Sequence, residues 1–107
     1  MSESGSGDRT VVFVNRFTVH GPKELFENAF SESAAFLRER PGLIQYTLLR
    51  HAERPDSYIN IARWSDEASF RSAIGHPGFP AHARALRELC TTEPGLYTER
   101  EVFRQTE

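Results

Sequence analysis

Apolar residues from Thr10 to Val19 fall on both sides of a two-residue alternation. Val11, Phe13, Phe17 and Val19 share one face with Asn15, and Val12 and Val14 share the other with Arg16 and Thr18. A strand apolar on both faces belongs in the middle of a sheet. His20-Gly21-Pro22 stops it, and Pro22 is placed to open a helix whose Leu25, Phe26, Ala29, Phe30, Ser33, Ala34 and Leu37 recur at helical spacing until Pro41-Gly42. Leu43 to His51 predicts a second strand, Glu53 to Asp56 with Pro55 a turn, and Ser57 to Trp64 a third strand. Ser65 and Asp66 can cap a short helix reaching about Ile74, with Phe70 and Ile74 inward. Gly75-His76-Pro77-Gly78-Phe79-Pro80 breaks it, so a new helix is expected from Pro80 to about Cys90. His82, Leu86 and Leu89 share its inner face, while Arg84, Arg87 and Glu88 point mostly to water. Beyond Pro94-Gly95, Leu96 to Phe103 predicts a last strand.

The order strand, helix, strand, strand, broken helix, strand predicts an α+β fold, the ferredoxin-like βαββαβ arrangement with a four-stranded antiparallel-type sheet. A crossover is expected to join parallel first and third strands as central neighbours.

Two amides interrupt the apolar pattern of those strands. Tyr58, Asn60, Ala62 and Trp64 alternate onto one face of the third strand, and Asn15 sits among phenylalanines on the first. A buried amide without a partner costs about 1–3 kcal/mol, so each must bond protein, water or ligand. Either amide could satisfy nearby backbone groups, and Trp64 could be a core aromatic. If both strands turn these residues toward the helices, two amides and an indole converge in one apolar place.

Composition narrows the possibilities. The 107 residues, 38% hydrophobic and 26% charged, suit one domain, expected over residues 10–104 behind a polar Ser/Gly-rich tail at 1–9. So short a chain buries a limited core, and a cavity within it favours dimerisation. Thirteen Lys and Arg against 15 Asp and Glu give a net charge of −2 without a basic cluster, which argues against nucleic acid. No apolar run approaches the length of a membrane span. The single cysteine, Cys90, excludes an internal disulfide; with no secretory segment, a cytoplasmic protein is expected. The four histidines and the cysteine lack metal-ligand spacing, and no Gly-rich phosphate loop is present.

The run Val11-Val12-Phe13-Val14-Asn15-Arg16-Phe17-Thr18-Val19-His20-Gly21, with Tyr58-Ile59-Asn60-Ile61-Ala62-Arg63-Trp64 and His76-Pro77-Gly78-Phe79, resembles the antibiotic biosynthesis monooxygenase family. Within it the chain is most similar to small anthrone monooxygenases of aromatic polyketide pathways. The resemblance implies a homodimeric α+β barrel. It also implies oxidation of a polycyclic aromatic substrate by O2 to a quinone, with no metal and no bound flavin required. It maps the catalytic set onto Asn15, Asn60 and Trp64. Tyr58, Phe26, Phe30, Phe70, Phe79, Leu86, His82 and His51 are the expected substrate-contacting residues, and the two histidines are candidate proton acceptors because imidazole exchanges protons near neutrality. Some members carry a tyrosine six residues after the tryptophan, where this chain has Phe70. Ring-opening oxygenation with diffusible reduced flavin is an alternative on the same scaffold. So are a haem-degrading relative, for which Ser72 and Ala73 stand where a tryptophan is needed, and a non-catalytic ligand-binding dimer.

Overall fold

A computed structural model describes residues 9–106; all but the last residue of the expected tail lies outside them. The chain runs β1 (Val11–Val19), α1 (Lys23–Arg38), β2 (Leu43–Arg50), β3 (Ser57–Trp64), α2 (Glu67–Ile74), α3 (Phe79–Arg87) and β4 (Cys90–Thr98). The strands form one sheet in the order β2-β3-β1-β4, the ferredoxin-like topology.

The expectation of parallel β1 and β3 is corrected: they pair antiparallel, with Asn15 opposite Asn60 and Phe17 opposite Tyr58. β2 is also antiparallel to β3, so the parallel strands joined through α1 are β1 and β2. The tight turn after β2 then sends β3 back into the gap between them. The connection is a split crossover, and β3 supplies the central neighbour of β1.

β4 is also corrected. It starts at Cys90, not Leu96, and Cys90 belongs to this strand instead of ending α3, which stops at Arg87. Pro94-Gly95 does not precede the strand but lies inside it, opposite Asn15 and Val14. β4 is an edge strand of this sheet, where proline is tolerated because one side of the ladder is unpaired.

Helix boundaries follow local chemistry. Asp66 caps α2 by accepting from the Ser69 N–H at 2.7 Å. That bond to the backbone amide holds its carboxyl below the usual carboxylate range. Gly42 adopts φ +100° in the turn from α1 to β2, and a Cβ there would come within 2.4 Å of the Ser69 Cβ, so the turn sits tightly against α2.

The helices cover one face of the sheet. Phe17, Val19, Phe26, Phe30, Ala34, Tyr58, Leu86 and Cys90 form one core cluster; Val11, Ala62, Trp64, Phe70 and Ala73 form a second. Tyr46 packs against both. On the other face, Val12, Val14, Ile59 and Ile61 are half-buried with no helix over them, beside exposed Leu49 and Tyr97. Arg63 on this face pairs with Glu99 at 2.6 Å.

Candidate active site

Between the two clusters lies a cavity of about 270 Å³. That is near the lower end of the roughly 300–1,000 Å³ typical of small-molecule sites, a size for a few fused rings. The strand register sets its floor as a grid. Leu48, Asn60, Asn15 and Pro94 form one row across β2, β3, β1 and β4, and Tyr46, Ala62, Phe13 and Leu96 form the next. Trp64, opposite Leu43 and Val11, begins the row after that. Neighbouring rows on one face lie two residues apart along each strand. Phe30, Ser33, Ala34 and Leu37 of α1, Phe70 and Ile74 of α2 and Phe79, Ala83, Leu86 and Arg87 of α3 form the roof.

Asn15 and Asn60 are cross-strand partners on this floor. Residues directly opposite in an antiparallel pair bring their Cβ atoms to about 4.5–5.5 Å. The Oδ1 atoms of both are buried and accept no hydrogen bond among the described residues. Two neighbouring orphans of this kind destabilise a fold unless a guest bonds them. An amide can also present its NH2 after a half-turn of its terminal bond, so the pair offers donors or acceptors to one ligand. Trp64, 2% exposed, is held edge-on by Phe70, with centroids 5.8 Å apart and planes at 72°. Phe70 in turn lies 4.9 Å from Phe13.

The structure brings together Asn15, Asn60, Trp64, Phe30, Phe70, Phe79 and Leu86 around this space. The other expected contacts lie elsewhere. Phe26 is fully buried in the first core cluster, beneath Phe17 and Tyr58. Tyr58 turns its hydroxyl away to donate to Glu27 at 2.6 Å, and burial, then this bond, raises its pKa above 10.0. His51 stands in the β2–β3 turn, where its Nδ1 accepts the Glu53 and Arg54 N–H groups, each at 3.0 Å. His82 stacks on Phe36 at 5.3 Å, outside the cavity wall. Leu25, which recurs at helical spacing with Phe26 and Phe30, is instead 52% exposed.

Several lining residues were not anticipated. Tyr46 shares its face of β2 with Leu48, an alternation legible between Gln45 and Leu49. Thr92 and Pro94 were hidden by the misplaced last strand. Arg87 was expected to face water; it is exposed, yet it forms part of the wall and is the only charged side chain there among the described residues. No cluster of three or more His, Cys, Asp or Glu able to hold a metal occurs among the described residues.

Deoxynogalonate monooxygenase of Streptomyces nogalater is 52% identical over 93 residues, covering 87% of this chain and 79% of that protein. The crystal structure of SnoaB, a cofactor-independent oxygenase from Streptomyces nogalater, aligns with a TM-score of 0.88 at 48% identity, over 91% of this chain and 99% of that one. A conserved protein from Methanosarcina mazei shares the fold at 21% identity, with a TM-score of 0.78 over 89% of this chain and 97% of its own. Residues 10–85 match the antibiotic biosynthesis monooxygenase family, and with those relatives the match makes this chain a member of that family of monooxygenases.

Proposed function

We propose that the protein oxidises an anthrone-type polycyclic polyketide to a quinone with O2, without metal or flavin. The observation that carries this is the Asn15–Asn60 pair, two amides whose oxygens are buried and unpartnered among the described residues, beside Trp64 in an otherwise greasy cavity. An anthrone CH2 is flanked by two aromatic rings and a conjugated carbonyl. Its anion is electron-rich enough to reduce O2 directly, so the substrate performs the work of a cofactor. The chain must supply shape and fixed dipoles. Asn15 and Asn60 turn N–H groups toward the enolate oxygen, stabilisation worth roughly 3–4 kcal/mol per donor in other enzymes. Trp64 lays its ring along the polycycle. In balance, the CH2 carbon and one O2 become a ketone carbon and one water.

Arg87 suggests which polycycles are accepted. A single cation in an apolar wall fits an anionic substituent at the rim, and the relative from Streptomyces nogalater is named for a carboxylate, deoxynogalonate. Arg87→Met is expected to raise KM for a carboxylated anthrone about fivefold and leave a neutral anthrone within about twofold, as an exposed charge contact is worth at most about 1 kcal/mol. Equal effects on both would remove this role.

The protein works as a homodimer in this account. The bare sheet face of Val12, Val14, Ile59, Ile61 and Leu49 is where a second copy would pack, two sheets closing one barrel. Flavin-free protein incubated with an anthrone and O2 tests the reaction: quinone without added reduced flavin supports it. Strict dependence on reduced flavin would overturn it.

A further inference from the structure

Quinone formation has a proton requirement that the paired amides and the indole do not meet. When the peroxide formed at the former CH2 carbon collapses, the C–H bond gives its electrons to the new C=O, the O–O bond breaks, and the outer oxygen leaves. It leaves as water only if it is given a proton; the C–H proton is released in the same step. Among the described residues that line the cavity there is no His, Asp, Glu, Lys or Cys. Arg87 does not deprotonate in proteins, and the hydroxyls of Ser33 and Thr92 are far weaker acids than a phenol.

We propose that Tyr46, on the cavity floor between the amide row and Trp64, is the acid that protonates the departing peroxide oxygen. The assignment rests on the oxygenase reading above. Its support is positional. Tyr46 stands opposite Ala62, whose small side chain leaves the floor open in front of the phenol. On β3 the residues two before and two after Ala62 are Asn60 and Trp64, so Tyr46 is diagonal to both, at roughly 7–8 Å, a span that a tyrosine side chain bridges. Phe30 steadies the ring edge-on at 6.0 Å. The other tyrosine on this face, Tyr58, is committed to Glu27. In the cycle, the Tyr46 O–H bond breaks as the outer oxygen departs as water. The C–H proton then returns to the phenolate through solvent, leaving the enzyme unchanged.

Tyr46→Phe keeps the ring and removes only the proton. With an anthrone and O2, this variant is expected to take up oxygen, form quinone at least about 100-fold more slowly, hold KM within about twofold, and release hydroperoxide detectable by a peroxide-sensitive dye. Thermal melting by circular dichroism should match the unaltered protein. Quinone at the unaltered rate with no hydroperoxide would overturn the assignment. So would equal loss of oxygen uptake and quinone with a raised KM, the signature of a packing role. No oxygen uptake by the unaltered protein would overturn the oxygenase reading itself, and this assignment with it.

Discussion

Asn60, given the role proposed for it, would weaken the fold that holds it. It is 8% exposed, its Oδ1 is unpartnered, and the cost of such an orphan is about 1–3 kcal/mol. Asn60→Leu, similar in branching shape and without polar atoms, with the adjoining cavity to take its larger methyl groups, is therefore expected to raise the melting temperature while lowering kcat by about 100- to 1,000-fold. Thermal denaturation and quinone assays on one preparation check both signs; a lower melting temperature would make the amide structural. Asn60, Asn15 and Trp64 were legible because a polar or bulky residue on a strand has only two directions to point, and the apolar neighbours named the direction. His51 and His82 were misjudged for the opposite reason. Imidazole suits proton transfer wherever it sits, and sequence alone does not reveal that the turn backbone occupies His51 or that Phe36 receives His82.

Among the elements, α2 carries Phe70, which packs edge-on against Trp64, and its start is fixed by a half-buried cap at Asp66. The Asp66 carboxyl is held below its ordinary 3.8 by the Ser69 N–H, so its contribution is complete above that value and is lost as pH falls through the lower folded-state value. Asp66→Ala should lower the melting temperature at pH 7, with an effect that shrinks as pH falls below 3.8, which melting curves across that range will show. Tyr58 acts at the other end. Its folded-state pKa lies above 10.0, so its contribution is present below pH 10 and fades as alkali ionises the buried phenol. The first three strands, α1 and the α2 cap were legible from alternation, helical spacing and capping chemistry. β4 was not, because Pro94-Gly95 reads as a break unless the strand is known to lie at an edge, and that is a property of the whole sheet. The same error concealed Thr92 and Pro94 at the cavity.

Over the whole molecule, one sheet serves two surfaces: the helices roof one face into a cavity, and the other face is left apolar. Ile61→Glu places a charge at the centre of the bare face and is expected to turn the proposed dimer into a monomer, read by light scattering coupled to size-exclusion chromatography. A mass unchanged from the unaltered protein would move the interface elsewhere. The ferredoxin-like order was legible in the sequence of elements. The adjacency of β1 and β3 was legible too; their antiparallel sense was not, because it depends on the β2–β3 hairpin folding back between the parallel β1 and β2. In the proposed reaction, paired amides on β1 and β3 let a polycyclic anion react directly with O2. Its most direct test is simultaneous oxygen-electrode and absorbance measurement of metal-stripped, flavin-free protein with an anthrone, beside Asn15→Ala/Asn60→Ala. The unaltered protein is expected to consume one O2 per quinone formed, and the double variant to run near the rate of the uncatalysed solution. Undiminished turnover without the two amides would contradict it.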